Sequence, residues 1–243
     1  MSNKLLTVFN GATAAFTPAS ISGLVAWYDF SDAATLFTDS ARITAVTADG
    51  DAIGGVTDKS GNGYHLAGST TERPLYKTAI QNSKSACRFD GSNDKLTNAS
   101  APLATAWTIY AVIKMTKSNT FPGIVTKSNQ GLIGNGGGKF AALVSNSISK
   151  GANYTLNTMY VLGYLQPDTT ASNAVLRKNG SVVTIADSGG GFISDANFKV
   201  GGTAYLSDFL GADVCEIVVY NNGLSAGSVT LIESYLNAKW AVY

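Results

Sequence analysis

FLGADVCEIVVYNNGLSAGSVTLIESYLNAKW, residues 209–240, is the stretch whose reading decides the fold. Its first part, Asp213–Tyr220, carries Val, Ile and Tyr at the density of a strand buried on both faces. Asn221-Asn222-Gly223 then breaks the strand, because Asn and Gly tolerate the positive φ of a tight turn. Ser225 reads as a helix N-cap, and Val229, Ile232, Leu236 and Trp240 fall on one helical stripe. Lys239 stands near the C-terminal end, where the helix dipole favours a cation. This is the one convincing helix in the sequence. The strand is expected to be an inner one, and the helix to cover an end or edge of the β structure.

Upstream the pattern is one of short strands and turns. GLVAWYDF at 23–30 is a strand, followed by a polar connection over 31–63 with one short strand near Ile43–Val46. Connections this long usually mark functional or insertion sites. Ala86–Asp90 and Lys95–Asn98 flank the turn Asp90-Gly91-Ser92-Asn93. WTIYAVIKM at 107–115 alternates, placing Trp107, Ile109, Ala111, Ile113 and Met115 on one face. Gly123–Lys127 and Lys139–Asn146 bracket Gly131–Gly138, which reads as a glycine-rich rim loop. Leu156–Leu165 is a Tyr-rich strand, and Asn197–Val200 leads to the closing one. Ala174–Lys178 and Ser181–Ala186 surround Asn179-Gly180, a strong hairpin signal. Many short strands with almost no helix imply an antiparallel sandwich. No repeat, low-complexity tract or linker divides the chain.

At 243 residues one large β domain is the natural expectation. The net charge of +1 removes the electrostatic case for nucleic acid or an anionic membrane surface. No run approaches the roughly eighteen apolar residues of a spanning helix, so membrane insertion is not expected. The opening MSNKLLTVFNGATAAF resembles a signal peptide only weakly. Cys87 and Cys215 both lie in strand-like runs and read as buried thiols, with a disulfide between neighbouring strands the alternative. A single His makes a Cys/His zinc site unexpected.

Several stretches together resemble the laminin G-like, concanavalin A-like lectin/glucanase superfamily. They are GLVAWYDFSD (23–32), DKSGNGYHL (58–66), RFDGSNDKL (88–96), WTIYAVIK (107–114), RKNGSVV (177–183) and the closing strand and helix. The resemblance implies an all-β fold: an antiparallel jelly-roll β-sandwich with one C-terminal helix, over residues 23–243, preceded by an N-terminal arm at 1–22. It also implies a binding module: carbohydrate-recognising, adhesive, or a structural part of a virion or cell surface.

Candidate sites follow from residue chemistry. Asp58, Ser60 and Asn62 in DKSGNG alternate oxygen side chains before Gly63, like the start of a calcium loop. The twelfth position is Ser69 rather than Glu, so a turn bonding its own backbone is the favoured reading and calcium the alternative. Asp90, Asn93 and Asp94 form a second acidic turn of the same kind. GLIGNGGGK fails as a phosphate loop, because no Gly stands five residues before Gly138 and Phe140 replaces the required Ser/Thr. Sugar binding wants an exposed aromatic beside polar donors. Tyr64, Tyr154 and Tyr205, with Asn135, are the candidates, while Trp27, Trp107 and Trp240 read as core.

For catalysis the chain offers three Glu, at 72, 216 and 233, and no Glu-Asp-Glu strand motif. Glu216 reads as hydrogen-bonded structure, and no catalysis is expected. The resulting expectation is a non-catalytic virion surface protein of a bacteriophage, a capsid decoration or tail-associated protein. Its residues 1–22 would contact other virion proteins within an oligomeric assembly, and its rim loops would face cell-surface glycans. A secreted or surface lectin and a glycoside hydrolase or lyase are the alternatives.

Overall fold

The computed structural model describes residues 15–101, 106–128, 130–135, 137–144, 147–184, 186–189, 197–202 and 208–243. In chain order the strands are β1 (Leu24–Asp29), β2 (Leu36–Phe37), β3 (Gly55–Val56), β4 (Leu66–Ala67), β5 (Leu75–Gln81) and β6 (Lys84–Asp90). Next come β7 (Leu96–Asn98), β8 (Trp107–Met115), β9 (Gly123–Lys127), β10 (Gln130–Asn135), β11 (Lys139–Val144) and β12 (Ser147–Asn153). The last are β13 (Met159–Gln166), β14 (Val175–Lys178), β15 (Ser181–Val183), β16 (Ala186–Gly189), β17 (Phe198–Val200) and β18 (Gly211–Tyr220), followed by α1 (Ala226–Trp240).

They form two antiparallel sheets. The first runs β15-β14-β13-β8-β18-β6-β5, with β1 also paired to β18. The second runs β16-β12-β11-β10-β9-β17-β7-β4-β3-β2. Trp107, Ile109, Ala111, Ile113 and Met115 of β8 lie in the core between the sheets with Phe89, Leu132, Phe140 and Leu162. This is the face that the period-2 pattern marked out. The alternate residues Tyr110 and Val112 point the other way, into a second apolar cluster shared with α1.

That second cluster locates the helix. Val229, Ile232, Leu236 and Trp240 pack with Trp27, Ala86, Cys215, Met159, Val161, Val218 and Tyr220, across the outer face of the first sheet. The helix therefore covers a face, and the expectation of an end or edge is corrected. Hydrophobic periodicity reports which residues are buried, not what buries them. All ten residues of β18 are buried, Asp213–Tyr220 as their composition implied: the second sheet lies on one side, and α1 covers the other over Cys215, Val218 and Tyr220. Burying each large stripe residue contributes about 1.5–3 kcal/mol. Ser225 caps the helix, accepting the N–H of Ser228 at 3.2 Å. The exposed edge of β5 is closed instead by a loop: Gly50 N–H donates to Tyr76 O, Tyr76 N–H to Asp51 O and Ile53 N–H to Pro74 O.

Two charged side chains fix the helix to the sheet. Glu216 on β18 is fully buried and accepts from Trp27 Nε1 (2.7 Å), Tyr235 Oη (2.9 Å) and Trp240 Nε1 (2.7 Å). Lys239 Nζ lies 2.8 Å from Glu216 and 2.8 Å from Asp29. Burial pushes the Asp29 carboxyl up, but the Lys239 ammonium, with the Ser31 hydroxyl and the Lys59 ammonium, outweighs this and holds it below the usual carboxylate range. Glu233 on α1 accepts both Nε and Nη2 of Arg177, and Tyr110 Oη donates to it. At the helix end, Gln81 Nε2 donates to Trp240 O and Asn82 Nδ2 to Lys239 O, so the tip of the β5–β6 hairpin caps the last carbonyls.

The glycine-rich stretch is largely strand rather than loop, since β10 occupies Gln130–Asn135. A Cβ on Gly131 would lie 2.2 Å from Val125 O, so β9 and β10 approach too closely for a side chain there. Asn179 (φ 50°) and Gly180 (φ 76°) make the expected hairpin turn. Cys87 belongs to the intersheet core and Cys215 to the helix-side cluster; both are free thiols on opposite faces of one sheet, which rules out their pairing. Of the expected arm, residues 1–14 lie outside the described residues. Phe16 packs edge-on to Tyr235 at 6.0 Å, and Tyr220 Oη donates to Pro18 O.

Candidate functional site

The sequence-predicted residues are dispersed. Tyr64 is half-buried and packs on the core. Tyr154 is only 9% exposed, its ring 4.8 Å from Phe140, so the intersheet core takes the face a sugar would need. Asn135 is 2% exposed at the end of β10. Tyr205 lies outside the described residues. β12, which leads into Tyr154, and β4, which follows Tyr64, stand six strand steps apart in the second sheet. At the usual strand spacing that is roughly 28 Å. These residues do not make one site. Trp27, Trp107 and Trp240 are core, as expected.

Asp58, Ser60 and Asn62 are brought together, but by the backbone of β1. Asp58 Oδ1 accepts the N–H groups of Trp27 and Ser60, both at 2.9 Å. Its Oδ2 accepts Ser60 Oγ–H (2.7 Å) and Tyr64 N–H (3.1 Å). Asn62 Nδ2 donates to Leu24 O and Val25 O. Four donors fill the carboxylate: Asp58 bonds its own turn, as the favoured reading has it, but Asp58 and Asn62 also hold the backbone of β1, which makes the loop a clamp on that strand.

The second acidic turn is bonded likewise. Asp90 Oδ1 accepts from Ser92 N and Asn93 N, and Asp94 Oδ2 from Asp90 N at 2.8 Å. Burial, reinforced by the Asp90 charge, pushes Asp94 up to about 6. The native state then holds that proton more tightly than the unfolded chain, so stability falls as pH rises from about 4 to about 6. Asp94→Asn keeps an acceptor and removes the penalty. The variant is expected to exceed the parent by about 1 kcal/mol above pH 7, after allowance for solvent screening, and to show no advantage at pH 4. Thermal melts across that range check it; a pH-independent difference would refute the assignment.

The outer face of the first sheet offers a different constellation. Beyond the reach of α1, the next outward positions on three adjacent strands are Arg88 on β6, Asp213 on β18 and Lys114 on β8, directly opposite one another in register. Asp213 is fully buried and accepts Arg88 Nε (2.6 Å) and Nη2 (2.9 Å), with Lys114 Nζ at 2.8 Å. The hydrogen bonds to Asp213 raise the Arg88 pKa further and hold its guanidinium in one orientation. The Arg88 side chain remains 38% exposed.

Arg88 opens onto a cleft of about 370 Å³ lined also by Leu75, Asp90, Thr116, Lys117 and Asn157. Lys117 lies over two glycines: a Cβ on Gly211 would be 2.6 Å from Lys117 Cβ, and one on Gly91 3.0 Å from its Cδ. Its Nζ donates to Asp90 O at 2.6 Å. Asn157, in the left-handed region at φ 63°, is held by its N–H to Met115 O. A preset guanidinium, an ammonium, an amide, a hydroxyl and an exposed Leu75 thus surround one small volume, a lining suited to a polar ligand with an apolar side. Sequence reasoning passed over this group. The signal in the sequence was one charge, Arg88, Lys114 or Asp213, inside each of three apolar strand runs; their juxtaposition comes from the strand register.

Two more clefts stand out among the described residues. One, of about 260 Å³, is lined by Ser31, Tyr76, Thr78, Ser83 and Lys84; the other is an apolar groove between Phe16, Leu231 and Tyr235. In the first, Ser31 bonds the buried Asp29; in the second, Tyr235 and Lys239 are held by the buried Glu216, but the Lys239 ammonium is already taken by Glu216 and Asp29 and the rest of that lining is largely apolar. Asp29 and Glu216 are two carboxylates converging on Lys239, but Glu216 is sealed beneath α1 rather than set in a groove.

No protein-family model matches the sequence, and no curated protein matches it. Solved structures do. The Trypanosoma rangeli sialidase with 2,3-difluorosialic acid, a covalent intermediate, is similar with TM-score 0.58 at 14% identity, over 97% of this chain and 36% of that one. Domain 4 of AbnA, a GH43 extracellular arabinanase from Geobacillus stearothermophilus, in complex with arabinotriose, is similar with TM-score 0.54 at 15% identity, over 85% of this chain and 96% of that one. The binding domain of Paraclostridial Mosquitocidal Protein 1 gives TM-score 0.52 at 14% identity, over 91% and 54%. The chain spans about a third of the length of the sialidases it matches.

At these identities the likeness establishes the fold, an all-β sandwich that also occurs in carbohydrate-active and binding proteins. It corrects the expectation of a chain without catalysis. The fold is found within the chains of a sialidase and an arabinanase, so the missing Glu-Asp-Glu motif does not exclude an enzyme.

Proposed function

We propose that this chain is a carbohydrate-recognising sandwich of the laminin G-like, concanavalin A-like type, with its ligand in the cleft beside Arg88. The observation that carries the reading is the Arg88 guanidinium, fixed by the buried Asp213 and exposed in a cleft with Lys117, Thr116 and Asn157. Burying a carboxylate is costly unless it is paired, and here the paired cation is also the cleft's principal donor. The likeness to an arabinanase domain in complex with arabinotriose, which this chain matches over nearly all of that domain, supports the same reading.

The setting we propose is a bacteriophage virion surface, with residues 1–22 contacting neighbouring virion proteins and the cleft available to cell-surface glycans. A broad glycan array tests the recognition: binding by the parent protein, reduced at least tenfold by Thr116→Ala with Asn157→Ala, is expected. An array without ligands would sink the reading. For the setting, the expressed protein should sediment with virus-sized particles and be released by deletion of residues 1–14; a freely soluble monomer in infected cells would refute it.

A further inference from the structure

We propose that the cleft selects a saccharide bearing a carboxylate, gripped between Arg88 and Lys117; this rests on the glycan reading of the same cleft. The argument is one of charge placement. Asp213 is matched by two cations, Arg88 and Lys114, so the triad carries a net positive charge on the outer face. Asp90 also lines the cleft, its Oδ1 engaged by the N–H groups of Ser92 and Asn93, and its single charge is outnumbered there by Arg88 and Lys117. What Asp90 offers Lys117 is its backbone carbonyl, a neutral acceptor. Lys117 thus lines the cleft as an ammonium bonded to a neutral oxygen.

Arg88 complements it. Asp213 takes Nε–H and one Nη2–H, leaving the guanidinium with N–H donors on its outer side, in the planar fork that matches a carboxylate. Thr116 and Asn157 are placed to address ring hydroxyls, and Leu75, 39% exposed, offers an apolar flank to sugar C–H groups. A cationic ligand would meet two like charges. An extended polyanion such as nucleic acid needs a basic stripe, and the chain's net charge is only +1.

The test is calorimetric titration of the full chain with trigalacturonate and, in parallel, with the neutral galactotriose. Trigalacturonate is expected to bind at least tenfold more tightly, with an affinity that falls as salt rises from 50 to 500 mM. Lys117→Ala and Arg88→Lys should each reduce trigalacturonate affinity about tenfold or more and shrink its advantage over galactotriose at least threefold. Arg88→Lys retains a cation for Asp213, so a folded protein is expected, and a cooperative melt at most a few degrees below the parent's confirms it. Equal binding of the two sugars would overturn the selection for a carboxylate while leaving the glycan reading intact. Absence of binding by either would overturn both.

Discussion

Glu216→Ala is expected to cost about 3–5 kcal/mol of stability. The substitution leaves Lys239 without one of its two carboxylates, and it orphans three donors: Trp27 Nε1, Trp240 Nε1 and Tyr235 Oη. Removing one partner of a buried pair typically costs this much, because the remaining charge stays desolvated. Urea unfolding followed by tryptophan fluorescence should show it as a shift in midpoint with little change in slope. Glu216→Gln is the instructive control. Its amide oxygen can still accept from Trp27 and Tyr235, while its NH₂ would face the Trp240 N–H and the Lys239 ammonium, two donors. A loss of about 2 kcal/mol is expected for it. Losses below 1 kcal/mol for both variants would mean that this carboxylate does not hold the helix.

Trp240→Ala is expected to cost a further effect of the same size, about 3–5 kcal/mol, by a different route. The indole is fully buried at the end of the α1 stripe, and its removal opens a cavity between the helix and the first sheet. Because Trp240 donates to Glu216, the two losses are coupled. The double variant should be less destabilised than the sum of the singles, and the shortfall measures the indole–carboxylate bond. Hydrogen exchange gives a second readout: amides of α1 should lose protection before those of β8 and β18. If Trp240→Ala left α1 protection unchanged, the helix would be held by Glu233 and Arg177 instead.

Much of the fold was legible because its signals are local. The alternation of Trp107–Met115, the N-cap at Ser225, the stripe from Val229 to Trp240 and the Asn179-Gly180 turn each depend on residues a few positions apart. What was not legible depends on how strands are paired and stacked, which no local pattern states. Gly131 looks like a loop residue until Val125 is brought against it. Leu75–Gln81 has little apolar period because it is an edge strand, with a bulge between Lys77 and Gln81. Tyr154 sits among turn residues, yet its ring reaches Phe140. The candidate site was the least visible of all. Arg88, Asp213 and Lys114 are ordinary charges in sequence, and only the register of three strands makes them a row.

The β5–β6 hairpin has a consequence that reaches across the molecule. Its tip, Gln81 and Asn82, caps the end of α1, and its open end supplies Leu75 and Arg88 to the cleft. One rigid two-stranded lever therefore spans the helix seat and the proposed binding position. The two cannot fluctuate independently: a molecule whose helix has lifted has also lost a clamp on the arm that carries Arg88. Occupancy of the cleft should accordingly be felt at the far end of the hairpin, as slower exchange of the last helical amides, even though no ligand atom approaches them.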